Sequence, residues 1–404
     1  MENVIIFFSY LNIWSIKEGQ GAPSFYKTIT GYISDGWKVI LIKPEKGEGE
    51  TPKINGLAMI TFKNDLLWKL IKIKKISFWG RIAYALYGYY KFITIGEKII
   101  KKEKNSNIVL YAYEVHGVKA AKKLQKKYNL PFVARFQGTV LYNKKYSLYN
   151  RLKWFPHYDA LKTEADLIIM TDDGTFGYNV LKNLNNKTKN ILFLKNGIDY
   201  ENTKISKERI KAIRNALNIK DTDVILMTLS RLAYWKRVDR AIIAFSKIAG
   251  KYQNSKLVIV GDGSEKQWLI KLAEELKLDD RILFAGSIMQ SDVGYYFDIA
   301  DIFLSLYDLG NVGNPLFEAM AASKAIITLN NGDTKSLIKN MENGILVDLM
   351  DLNMIPNYIE MLINNKALRE KLGQNAKKYI KENMKSWDKR INEEIKLVKS
   401  LVKR

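Results

Sequence analysis

The 404-residue chain contains no cysteine. Disulfides, thiolate nucleophiles and thiolate metal ligands are thereby excluded, and a reducing compartment is the matching environment. Histidine is scarce, with 2 copies, which leaves little for a transition-metal site. Only 7 prolines are present, too few for long Pro-rich linkers. Acidic residues are outnumbered, 42 against 65 Lys and Arg, for a net charge of +23. No run of about 18 apolar residues occurs, so no transmembrane helix is expected. The start, Met1 to Phe8, lacks the basic region and long apolar stretch of a signal peptide. A cytoplasmic protein is the expectation, peripheral on the inner membrane face if the charge is used there. The charge excess fits nucleic acid, an anionic membrane or phosphorylated small substrates, and equally a Lys-rich protein with no charged partner.

What is present is an alternation of buried-type strands and amphipathic helices. Val4 to Phe8 is apolar throughout, as a parallel strand covered on both faces should be. A glycine loop, Glu18 to Ala22, leads into a helix from about Pro23 to Ser34 and a second strand, Lys38 to Ile42. Strands follow at Ile108 to Tyr111, Pro131 to Phe136, Asp166 to Thr171 and Asn190 to Leu194. The rhythm restarts with strands at Val224, Leu257, Ile282, Ile302, Ala325 and Ile345, interleaved with helices. The pattern breaks at Asn196-Gly197-Ile198-Asp199, which predicts domains over 1–195 and 196–385. Two doubly wound α/β domains imply a cleft, with ligands at the carboxyl ends of strands.

Several constellations fall at such ends. Ser230-Arg231-Leu232 with Lys236 follows a strand and precedes a helix, where two cations and a helix dipole favour a diphosphate; the bland alternative is a solvated basic loop. Gly313-Asn314-Pro315-Leu316-Phe317-Glu318 opens an apolar helix. Glu318, expected in its first turn, needs a partner such as sugar hydroxyls, or merely complements the dipole. Gly19 and Gly21 suggest a phosphate-cradling turn, but position 24 is Ser and the dinucleotide fingerprint is incomplete. His116, in Tyr113-Glu114-Val115-His116-Gly117, stands at a strand end, as a substrate contact or a structural histidine; His157 reads as packing or surface. Asp172-Asp173-Gly174 reads as a turn with a helix cap, and Asp221-Thr222-Asp223 as a polar loop rather than a metal–diphosphate site. Leu66 to Lys104 interleaves aromatics with lysines. It suits a bilayer interface, a core-facing helix pair with wet lysines, or stacking on single-stranded nucleic acid, the last without any accompanying motif.

The second half resembles glycosyltransferase family 4, the large retaining GT-B family. The matching stretches are Ser230-Arg231-Leu232 with Lys236, Val258 to Gly263, Ile282 to Gly286, Ala300 to Ser305, Gly313 to Ala322 and Asn343 to Val347. Asn196-Gly197-Ile198-Asp199 resembles the interdomain signature. The resemblance implies a GT-B fold of two Rossmann-like domains, with residues 386–404 returning to the first. It implies transfer of a hexose-type sugar from a nucleotide diphosphate sugar, UDP-sugar favoured. The acceptor would be a cell-surface polysaccharide or lipid-linked glycan, and no metal or other cofactor is expected. Arg231 and Lys236 would neutralise the departing diphosphate, and Glu318 would bind ribose. The backbone near Gly313 and Pro315 would approach the donor, the chain at Gly286 and Ser287 would hold the base, Gly19 and Gly21 would close over the diphosphate, and His116 would lie near the sugar. The family's paired-glutamate pattern is broken, because Gly310 stands eight positions before Glu318; Asn311 or Asp308 are candidate stand-ins. The rivals are a glycan phosphorylase or sucrose-type synthase of the same fold, a non-catalytic, membrane-associated GT-B binding protein and a basic nucleic-acid-binding protein.

Overall fold

The computed structural model describes residues 1–11, 23–45, 54–64, 77–142, 144–199 and 206–402. Its front domain is a parallel sheet ordered β3-β2-β1-β4-β5-β6-β7. The strands are β1 (Asn3–Ser9), β2 (Lys38–Pro44), β3 (Leu57–Phe62), β4 (Asn107–Tyr113), β5 (Phe132–Phe136), β6 (Leu167–Thr171) and β7 (Ile191–Leu194). β3 was not expected from the sequence. It is an edge strand whose residues are mostly half-exposed or exposed, so it lacks the continuous apolar signature of its neighbours.

The period-2 alternation of a strand splits β1 between two cores. Val4, Ile6 and Phe8 pack with Tyr84 and Phe92 of the helix Ser77–Lys102 and with Val118 and Leu124 of the helix Val115–Tyr128. Ile5 and Phe7 face the opposite side, against Phe25, Ile29 and Tyr32 of the helix Pro23–Ser34 and Trp387, Ile391 and Ile395 of the helix Trp387–Val402. The last helix of the chain thus belongs to the front core. Buried Glu394 anchors it: Arg135 Nη1 donates to it at 3.2 Å, Arg390 Nη1 at 2.6 Å and the Tyr111 hydroxyl at 2.5 Å.

The rear domain is a second parallel sheet, ordered β10-β9-β8-β11-β12-β13. Its strands are β8 (Val224–Leu229), β9 (Ser255–Val260), β10 (Ile282–Gly286), β11 (Ile302–Ser305), β12 (Ala325–Leu329) and β13 (Ile345–Val347). Leu226, Leu257 and Ile302 pack under the helices Val238–Ala249 and Ile355–Asn364, while Met227, Val258 and Phe303 pack under Asn314–Ala321 and Lys366–Asn383. Two segments connect the domains side by side. The Ile198 N–H donates to the Lys385 carbonyl at 3.1 Å, and a Cβ at Gly197 would lie 2.5 Å from the Trp387 Cα. Only glycine permits that approach.

In each sheet the strand order reverses once, between β1 and β4 in front and between β8 and β11 behind. Ligand crevices in doubly wound sheets open at the carboxyl ends of such strands. These are the ends that carry His116, Arg231, Lys236 and Asn311.

Candidate active site

The carboxyl ends of the two sheets face each other. The loop after β6 meets the loops after β11 and β12: a Cβ at Gly174 would lie 3.2 Å from the Asp333 nitrogen and 3.4 Å from Val312 Cγ2. Lys195, after β7, donates to Asp172 at 2.8 Å and to Asp333 of the other domain at 3.4 Å. Asn196 Nδ2 donates to Asn314 Oδ1 at 2.9 Å.

Within this junction lies Lys236, half-buried, at the end of the short turn Tyr234–Lys236. Its Nζ donates to the Gly310 carbonyl at 3.3 Å and stands 4.2 Å from the centroid of the Tyr307 ring. Burial pulls the Lys236 ammonium down to about 8; Asp173 opposes that shift and the Arg231 cation adds to it. Arg231 itself is exposed, yet close enough for the two cations to repel. The helix expected to lend its dipole here carries an acidic residue at its start. Val238–Ala249 begins beyond Lys236, and its first turn is occupied by Asp239, held by Arg237 Nη2 at 2.8 Å. The helix Asn314–Ala321 starts at Gly313 with no side-chain cap, so its first N–H groups remain available to an anion. Pro315, lacking an N–H, fits its first turn without loss.

Glu318 lies in the second turn of that helix, not the first, and is half-buried. Burial pushes its carboxyl up to about 7, against a hydrogen bond from Gln290 Nε2 to Oε1 at 3.0 Å. Gly286 ends β10 with φ of 71° and open space where a Cβ would stand. The Ser287 Oγ beside it is buried without a hydrogen-bond partner among the described residues.

From the front domain, His116 stacks on Tyr10, ring centroids 4.4 Å apart and planes at 18°. Glu114 just before it has φ 70° and ψ 172°, a region populated almost solely by glycine. Such strain concentrates at functional sites. Its Oε1 accepts the Gln137 N–H at 2.6 Å, and burial raises its carboxyl to about 7. Gly19 and Gly21 lie outside the described residues.

Residues 209–379 match the family model described as glycosyl transferases group 1. Over those residues the rear domain is similar to the group 1 glycosyltransferases. An alpha-monoglucosyldiacylglycerol synthase of Streptococcus pneumoniae is 30% identical to the chain over 147 residues, 36% of this chain and 33% of that protein. The match thus spans a third of that relative. Solved structures share the whole architecture. A sucrose-phosphate synthase from Thermosynechococcus elongatus aligns over 99% of both chains with TM-score 0.77 and 16% identity. Anabaena HepE, solved in complex with UDP-glucose, aligns over 97% of this chain and 99% of its own with TM-score 0.70 and 15% identity. The fold is GT-B.

The two suggested stand-ins for the carboxylate absent at position 310 are already engaged. Asn311 Oδ1 accepts the Tyr307 N–H at 3.2 Å, and Nδ2 donates to the Tyr307 carbonyl at 2.7 Å and to the side chain of Asn331. Its side chain staples the β11 loop. Asp308 is paired with Arg240 at 2.7 Å and Arg237 at 3.4 Å. The other suggested features also find local roles. Asp223 accepts the Lys220 N–H at 2.8 Å, as a polar loop should, and His157 packs beside Trp154 with its pKa lowered to about 4 by burial. Sequence reasoning gave no part in the site to Gln290, Glu114, Tyr307 or Asp173. Only the strained backbone of Glu114 and the spatial neighbours of the rest single them out.

Proposed function

We propose that the chain is a retaining glycosyltransferase that moves a hexose-type sugar from a nucleoside diphosphate donor, UDP-sugar favoured, to a glycan or lipid-linked acceptor. The observation that carries the reading is Lys236. It is a partly desolvated cation at the domain junction, next to a second cation and an uncapped helix start. A diphosphate is the ligand that such a set compensates best. The complex of Anabaena HepE with UDP-glucose, on the same fold, supports the donor class. The name of the S. pneumoniae relative supports a lipid acceptor.

When the bond between the sugar anomeric carbon and the β-phosphate oxygen breaks, negative charge collects on the leaving phosphate. Arg231, Lys236 and the N–H groups at Gly313 and Asn314 are placed in advance for that charge, so they need little reorganisation. In this reading the cations, rather than a metal ion, carry the leaving-group charge. The acceptor oxygen attacks the anomeric carbon from the face the phosphate leaves, and a phosphate oxygen takes its proton. Glu318, oriented by Gln290, accepts from the ribose hydroxyls. Ser287 Oγ and the open backbone at Gly286 hold the base, and His116, braced by Tyr10, borders the sugar.

A membrane-side acceptor is supported by the front surface. Trp79, Leu86 and Tyr90 are exposed on the helix Ser77–Lys102, and Tyr146, Leu148, Tyr149 and Leu152 are exposed around the helix Leu148–Lys153, which carries Arg151 and Lys153 and buries nothing. Apolar rings beside cations suit an anionic bilayer interface. Among the described residues no helix is long and apolar enough to cross a membrane.

The test is a thermal-shift screen across nucleotide sugars, followed by turnover on lipid-linked acceptors with assignment of the anomeric configuration. A ligand that binds only the folded state raises the melting temperature. Stabilisation by a nucleotide sugar with product of retained configuration is expected. Binding without turnover on any acceptor would favour a non-catalytic binder instead, and steeply salt-dependent oligonucleotide binding alone would favour a nucleic-acid role.

A further inference from the structure

Asp173 belongs to the front domain, in the loop after β6, but its carboxylate is presented to the rear one. One oxygen is committed locally: Oδ1 accepts from the Thr175 hydroxyl at 2.5 Å and from the Thr175 N–H at 3.1 Å. The other, Oδ2, takes no hydrogen bond from any other described residue. It points toward Gly310. A Cβ built there would lie 4.0 Å from Asp173 Oδ2 and 3.7 Å from Lys236 Nζ. The two opposite charges, one from each domain, therefore line the space that a side chain at position 310 would enter. A left-handed glycine, with φ of 70°, keeps that space clear. The approach is also prepared from the front side, since a Cβ at Gly138 would fall 2.2 Å from Asp173 Oδ2.

Three ligands could meet such a carboxylate. A phosphate is repelled by it. A cation is already supplied by Lys236. A polyhydroxylated ring attached to the diphosphate that Lys236 holds brings hydroxyl donors to an oxygen with acceptor capacity to spare. We propose that Asp173 binds hydroxyls of the transferred sugar, supplying from the front domain the carboxylate that position 310 does not provide. The sugar is then read only when both domains are apposed, because its phosphate contact and its hydroxyl contact come from different lobes. This rests on the nucleotide-sugar reading above.

The experiment compares Asp173→Asn with the unaltered chain by titration calorimetry. The two ligands are the nucleotide sugar that stabilises the chain most among UDP-glucose, UDP-galactose, UDP-N-acetylglucosamine and GDP-mannose, and the matching nucleoside diphosphate. Asp173→Ser is measured in parallel, so that a folding failure of one variant does not decide the question. Loss of a hydrogen bond to a charged acceptor is expected to weaken the nucleotide sugar about tenfold or more while leaving the diphosphate within about twofold. Unchanged nucleotide-sugar affinity overturns the proposal. An equal change for both ligands also overturns it, and reduces Asp173 to a counter-ion of Lys236. If the unaltered chain binds neither ligand, the donor reading itself falls, and this proposal with it.

Discussion

Arg135 Nη1 donates to Glu394 Oε2 at 3.2 Å, and neither side chain has any exposed surface. The contact joins the centre of the front sheet to the last helix of the chain, which arrives only after the rear domain is complete. Arg390 and the hydroxyls of Tyr111 and Tyr32 complete the shell around Glu394, so the buried negative charge is nearly saturated with donors.

Glu394→Ala would leave two guanidinium groups buried without their shared partner. Breaking a buried ion pair from one side costs about 3–5 kcal/mol. Urea unfolding should show a loss of that order, with the front domain melting first. Glu394→Gln keeps the shape and should cost less.

Lys236 offers a test in pH. Its ammonium titrates at about 8, against an ordinary 10.5. In the proposed mechanism the protonated form holds the leaving phosphate, so raising the pH through that value removes the charge. We expect kcat/KM for the donor to fall above about pH 8 in the free enzyme. Lys236→Arg, which stays charged, should remove this alkaline limb even if its rate at neutral pH is lower.

Removing both cations should be far more severe than removing either. Loss of one fixed donor to a developing oxyanion costs roughly 10²–10³ in kcat. The Arg231→Ala/Lys236→Ala chain should fall below detectable transfer while its melting temperature stays near that of the parent, since Arg231 is exposed and Lys236 is only partly covered. Near-normal activity in a folded double variant would remove the basis of the proposed mechanism.

Glu318 titrates at about 7 because burial disfavours its charged form. As the carboxylate it accepts hydrogen bonds; below that pH the neutral acid gives up acceptor capacity. Nucleoside diphosphate affinity, followed by calorimetry, should therefore weaken as pH drops from 8 to about 6. Glu318→Gln should bind more weakly by about 1.5–3 kcal/mol at pH 8 and lose this pH dependence.

Much of the fold is legible along the chain. The runs Val4–Phe8 and Val224–Leu229 read as strands buried on both faces, and the helices between them show their apolar stripes. β3 escapes because an edge strand half open to water carries a mixed pattern. The rear half of the site is legible too, since Arg231, Lys236, Gly313 and Glu318 lie in short motifs at strand ends. The front half is far less so. Asp172-Asp173-Gly174 reads as a turn with a helix cap; it forms the bend after β6, but the following helix Gly177–Asn183 has no side-chain cap at Phe176, and nothing in the motif tells that its carboxylate looks across a domain junction.

The sequence by itself determined the alternation of strands and helices and the missing side chain at position 310, because periodicity and residue type are local properties. The tertiary structure decided which distant groups share a charge environment. Glu394 becomes a buried anchor though it stands in a helix rich in Lys and Glu, and Asp173 meets Lys236 and Gly310 across the cleft. Electrostatic energy depends on distance and dielectric, and neither exists until the two sheets have turned their carboxyl ends toward each other.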